Sequence, residues 1–164
     1  MSECINIIVG VVSAIAASAS SIFAAVELRR SRKLQNELNI SHKKSETLKA
    51  FEVFQTSVLD HFVVVTKEEL QTNIDFIDEN IDCRKAYDNT RALMARCEHF
   101  AAAINEDVYD FELVDKLGGI HIYYLYKKLM PTIEFARNRA NTHNIYTEFE
   151  KLFKRFESKY KTKN

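Results

Sequence analysis

Glycine and proline are nearly missing from this chain. Its 164 residues include three glycines and one proline, with none of either between Gly10 and Gly118. Folds built of many short strands need these residues at their turns, so the scarcity points away from them and towards long helices. The three cysteines, Cys4, Cys83 and Cys97, are an odd set without a Cys-x-x-Cys pair. That argues against a disulfide framework, fits a reducing compartment and offers no zinc site. No Gly-rich phosphate loop, internal repeat or low-complexity linker is present. No metal, cofactor or DNA partner is therefore expected.

What the chain does have is an unusual beginning. From Ile5 to Val26 no residue is charged, a run of 22 residues. At about 1.5 Å per residue a helix of that length reaches roughly 33 Å, against a hydrocarbon core of about 30 Å. A cleaved signal peptide is the rival reading, and Ala17-Ser18-Ala19 has the small residues of a cleavage site. Signals carry a positive leading region and an apolar stretch of about 7–15 residues, whereas only Glu3 precedes this longer run. A buried core helix is the third reading. The basic cluster Arg29, Arg30, Arg32 and Lys33 follows the run, which by the positive-inside rule holds the remainder in the cytoplasm. A single retained span with an outside N-terminus is the expectation.

At 100° per residue the run sorts into two faces. Gly10, Ser13, Ala17, Ser20, Ser21 and Ala24 share one side, and Ile8, Val11, Ile15, Ile22 and Val26 the other. Small and hydroxylated residues suit close helix contact or a water-filled lining. The pattern therefore fits a homo-oligomer, a pore, or an apolar anchor in which these residues merely happen to line up. The basic residues behind it suit anionic lipid head groups and would collar the mouth of a ring.

Beyond the collar, charge is uneven: acids dominate residues 66–119 and bases residues 120–164. The apolar spacing is helical. Leu48, Phe51, Phe54, Val58 and Phe62 form one stripe, and Tyr87, Thr90, Met94, Cys97, Ala101 and Ile104 another. A short helix is predicted from near Asp110 to Gly118-Gly119. Another follows from Ile120 to about Arg139, with Pro131 a possible kink, and a last one carries Ile145, Phe149, Leu152, Phe153, Phe156 and Tyr160. The first helix is expected to continue towards Ile40. These stripes read as core. The organisation expected is all-α: a transmembrane helix over 1–27, a basic juxtamembrane helix or linker over 28–44, and a helical domain over 45–164.

One segment has residues suited to catalysis, Arg137-Asn138-Arg139-Ala140-Asn141-Thr142-His143. An arginine, a polar neighbour and a histidine six positions on suit RNA cleavage without a metal. The guanidinium clamps a phosphate, and the imidazole moves a proton near neutral pH. In one continuous helix residues six apart point about 240° apart, so Arg137 and His143 converge only if a turn begins at Asn141-Thr142. The competing reading is structural, because arginines are favoured at helix C-termini. Arg91, Arg96 and His99 form a rival set inside a helix; Arg96 and His99 share a face and read as a solvated or paired surface.

The order of an apolar span, a basic helix and a small helical domain resembles a widespread group of single-span bacterial proteins. The segment from Cys97 to Phe156, CEHFAAAINEDVYDFELVDKLGGIHIYYLYKKLMPTIEFARNRANTHNIYTEFEKLFKRF, carries the resemblance. With RNRANTH it is similar to the membrane accessory proteins of type VI-B CRISPR–Cas systems, which bear a divergent HEPN-like domain. The resemblance implies a HEPN-like bundle on a single-pass stalk in a bacterial inner membrane, and a pore that enhances RNA-guided antiviral defence by depolarisation. It implies functional partnership with an RNA-cleaving effector, and places the motif on Arg137, Asn138 and His143. The chain has five residues between arginine and histidine rather than the commoner four, and only one motif. The non-enzymatic pore is therefore the preferred reading, with a membrane-tethered ribonuclease acting on RNA and a plain anchor for a protein partner as alternatives.

Overall fold

The computed structural model describes the backbone of residues 2–161 and the side chains of residues 26–161. The chain divides into two units, Met1–His42 and Lys43–Asn164. Helix α1 runs from Ser2 to Phe54, fourteen residues past the expected Ile40. With no proline in it and no glycine after Gly10, nothing in its sequence interrupts it.

In the first unit every described side chain, from Val26 to His42, is exposed. Glu27, Arg29, Arg30, Arg32, Lys33 and Glu37 put ionic groups on successive turns, and Lys33 Nζ lies 4.0 Å from Glu37. Each ion costs about 2.5–3.5 kcal/mol at the centre of a bilayer. Among the described residues no helix is long and apolar enough to cross a membrane. This corrects two expectations, the single N-terminal transmembrane helix and the single-pass inner-membrane placement built on it. The face read from Gly10, Ser13, Ala17, Ser20, Ser21 and Ala24 lies outside the described side chains.

The second unit begins at Lys43, two residues before the boundary expected at 45. It is all-α, with no strand among the described residues. After α1 come α2 (Asp60–Val64), α3 (Lys67–Asp75), α4 (Ile81–Asn105), α5 (Phe111–Val114), α6 (Ile120–Ala140) and α7 (Thr147–Lys161). Two wide turns interrupt the helical path, at Gln55–Leu59 and Asp115–Gly119. At the first, Thr56 and Ser57 hydroxyls donate back to Val53 O, Thr56 also to Glu52 O. Such bonds compete with the backbone ladder and loosen a helix locally. At the second, the missing side chain of Gly119 is a packing requirement. A Cβ there would lie 2.6 Å from Phe156 Cε1 and 2.8 Å from Asp115 Oδ1.

The core is the junction of α1, α4, α6 and α7. Phe54 stacks on Phe100 with ring centroids 4.3 Å apart, and Tyr126 on Phe153 at 4.4 Å. Met94, Ile104, Ile122, Leu129, Leu152 and Phe156 are fully enclosed. The stripe from Tyr87 to Ile104 is buried throughout, Cys97 included. Leu48 departs from its stripe and is exposed, while Thr47 beside it is buried. The Thr47 hydroxyl donates to Lys43 O and accepts from Asp110 N at 2.9 Å, so a polar residue takes the inward position.

Helix ends are closed by neighbours. Glu98 on α4 accepts from Glu148 N and Phe149 N at 3.0 and 2.8 Å, capping α7 with a carboxylate from another helix. In return Arg155 on α7 donates to Ile104 O and Asn105 Oδ1. Asp110 caps α5 through Leu113 N, the start read from sequence. Pro131 lies within α6, which continues to Ala140.

Candidate functional site

Around the RNRANTH segment, α6 ends in a left-handed residue, Asn141 (φ 48°). Asn141 N donates to Asn138 O, and Thr142 N to Arg137 O, closing the helix in a Schellman turn. The turn anticipated at Asn141-Thr142 is present. It does not free Arg137 for catalysis. Arg137 Nε donates to Ile145 O at 2.9 Å, and the guanidinium meets Glu150 Oε2 at 2.8 Å. Both side chains are largely buried, at 15% and 27% exposure. The carboxyl of Glu150 is held below its usual range by hydrogen bonds from Lys154 and then Arg137. Arg137 thus ties the end of α6 to the following loop and to α7. Asn138 and His143 are exposed, and the His143 imidazole is not brought to Arg137's bonded guanidinium. Arg29, Arg30, Arg32 and Lys33 stand exposed on α1, in the first unit.

The geometry assembles a different basic site. A cleft of about 480 Å³ is lined by Arg84 and Arg91 from α4, Arg139 from α6, and Tyr87, Tyr146 and Ile77. Arg84, Tyr87 and Arg91 follow i, i+3, i+7 spacing, which puts them on one face of α4 with the arginines about 10 Å apart along its axis. The pairings of Arg91 and Arg139 are loose. Arg91 lies 3.9 Å from Asp88 and Arg139 3.5 Å from Asp78, and all four side chains are more than half exposed. Exposed pairs at such distances contribute about 0–1 kcal/mol; Arg91 is also held by a hydrogen bond to the Tyr146 hydroxyl oxygen and lies over the Tyr87 ring, as Arg139 lies over Phe135.

Both tyrosines are buried. Burial pushes their hydroxyls above the usual tyrosine range, against the pull of Arg91 on each. At neutral pH they are therefore protonated and able to donate. Tyr146 also has a left-handed backbone, φ 59°. That conformation is an outlier for a bulky residue, costs on the order of 1–3 kcal/mol, and is found preferentially at functional sites. Its carbonyl accepts from Glu150 N, so the strained residue also starts α7.

Sequence reading named Arg91 only as a member of a rival set inside a helix, and missed Arg84. Arg139 lay inside the motif without being singled out. The arginine–tyrosine–arginine spacing on α4 was the available signal. Its partner on α6 is brought opposite only by the fold.

A model for a domain of unknown function, DUF4760, matches residues 12–156. The chain belongs to the DUF4760 family. No curated protein and no solved structure matches it. The family match covers both the Arg137–Glu150 tie and the arginine cleft, and it carries no link to type VI-B accessory proteins or to HEPN domains.

Proposed function

We propose that the helical body of this DUF4760 protein is a non-enzymatic recognition module, and that its cleft receives a phosphate-bearing small molecule. The convergence of Arg84, Arg91 and Arg139 beside two protonated tyrosine hydroxyls is the observation that carries the reading. Arginine offers a fork of donors matched to phosphate oxygens, and charge-assisted bonds of this kind are about twice as strong as neutral ones. The cleft volume falls in the range of small-molecule sites, about 300–1,000 Å³. Catalysis needs a nucleophile or base placed against the bound group. The arginines and tyrosines bind and orient anions, and the one carboxylate on the cleft wall, Asp88, stands beside Arg91 at 3.9 Å. A ribonuclease centred on Arg137 would have to break the bonds to Ile145 and Glu150 before touching RNA.

Calorimetric titration of the full chain with inorganic pyrophosphate and with a nucleoside diphosphate tests the proposal. The expected result is saturable binding that weakens at least tenfold in the double variant Arg91→Ala, Arg139→Ala. Arg96→Ala, on α4 but outside the cleft, leaves it unchanged. Absence of binding by wild-type protein at millimolar probe, or equal loss in all variants, refutes it.

A further inference from the structure

A second surface of the helical body lies open. Between the end of α1 and the second half of α4 runs a groove of about 560 Å³, floored by Phe54 and Phe100 and walled by Ala50, Val53, Ala103 and Tyr109. Val53 is 65% exposed although it adjoins this aromatic floor. Arg96 and His99 stand on the rim, as do Lys49 and Glu46, which pair with each other at 2.9 Å. The surface is apolar with a net basic edge.

The opposite chemistry occurs at the other end of α4. Where α3 turns into α4, the segment Asp75-Phe76-Ile77-Asp78-Glu79-Asn80-Ile81-Asp82 carries four acids. Phe76 and Ile81 project from it, 49% and 67% exposed. The corner is built rigidly. Asn80 caps α4 through Asp82 N and Cys83 N, and Phe76 O accepts from Glu79 N and Asn80 N. Two apolar side chains are thus displayed on a stiff acidic knob.

We propose that the knob of one chain docks into the groove of a second copy of this chain. Phe76 and Ile81 cover the Phe54–Phe100 floor beside Val53, and the acids of the knob face Arg96. Charge complementarity selects this occupant: an apolar groove with Arg96 on its edge meets an apolar projection that carries Glu79 and the exposed, loosely paired Asp78 and Asp82, on a single polypeptide. The two cannot meet within one molecule, because Ile81 and His99 are 18 residues apart on one helix, about 27 Å. Two different patches meeting makes a heterologous contact, so each added chain presents a fresh knob and a fresh groove. Such contacts close into rings or extend as filaments. The opposed charges also make the contact weaken as salt rises.

The test uses the full chain with a benzophenone photocrosslinker at position 53, mixed with an isotope-labelled copy so that inter-chain products are identified by mass. The expected inter-chain cross-links fall on residues 75–82. They drop at least tenfold when the labelled copy carries Phe76→Glu, and likewise with Ile81→Glu. Arg96→Glu in the crosslinker chain lowers the yield, and Glu79→Arg in the labelled chain restores part of it. Because the substituted side chains are exposed, circular dichroism of the variants is expected to match wild type. The proposal is overturned if inter-chain cross-links are absent, if they scatter with no excess on 75–82, or if folded Phe76→Glu and Ile81→Glu copies cross-link as well as wild type.

Discussion

Replacing Arg137 by alanine separates its roles as structural tie and catalytic group. The substitution removes the hydrogen bond to Ile145 O and the ion pair with Glu150, 2.9 and 2.8 Å long. A hydrogen bond involving a charged group contributes about 1.5–3 kcal/mol, and a partner left buried adds its desolvation cost. Glu150 keeps Lys154 at 2.6 Å and some contact with water, so the loss stays below that of a fully buried pair. We expect a loss of about 2–3 kcal/mol. For a body of about 120 residues this lowers Tm by roughly 10 °C. Arg137→Lys keeps the charge but not the two-directional donor geometry and should fall between. The pH dependence has a definite sign. Glu150 has a depressed pKa when folded, so the stability it contributes is present above the unfolded carboxyl value, about 4.3, and fades as pH falls through the lower folded value. The deficit of Arg137→Ala relative to wild type should therefore shrink in acid below about pH 4. Calorimetric melting across that range, with Glu150→Gln completing a double-mutant cycle, is the assay. An unchanged Tm for Arg137→Ala at neutral pH would refute the structural account.

Two further outcomes follow from the packing. Gly119→Ala forces a methyl to within 2.6–2.8 Å of Phe156, Tyr160 and Asp115; overpacking of this kind costs about 1–3 kcal/mol, read as an earlier urea midpoint, whereas the exposed His143→Ala should move it little. Glu98→Ala withdraws the carboxylate that accepts from two amides of α7; a lost cap costs about 0.5–2 kcal/mol, and hydrogen exchange should quicken first at Glu148 and Phe149.

The helical class was readable because glycine and proline are so sparse, and the Tyr87–Ile104 stripe because a regular helix buries one face. Asp110 and Gly118-Gly119 were readable for local reasons, a cap and two residues that accept close approach. Helix α3 was missed, although Thr66 and Glu69 form a reciprocal capping box that is visible in sequence. The N-terminal span was inferred from apolar length and from the basic cluster that follows it, and the described helices do not bear it out. RNRANTH was chemically suggestive because arginine serves phosphate and carboxylate equally well. Only the fold shows that Glu150, thirteen residues on, supplies the carboxylate. The cleft was illegible for a similar reason, since Arg84 and Arg139 are 55 positions apart in sequence and come together only because α3 and α7 each pack on both α4 and α6.

The reciprocal closure of α4 and α7 also sets an order of events during synthesis. Helix α4 leaves the ribosome with its Ile104 carbonyl, its Asn105 amide and the apolar side around Met94, Cys97 and Ile104 awaiting residues made some fifty positions later: Arg155 donates to the carbonyl, and Glu148 O accepts from the amide. In the folded body that side is covered by Phe149, Leu152 and Phe156 of α7. The nascent body must pass through an interval in which it displays its future core, the state in which chains aggregate or engage chaperones. Slowing translation between Asn105 and Phe156 would lengthen that interval, and slowing it before α4 is made would not.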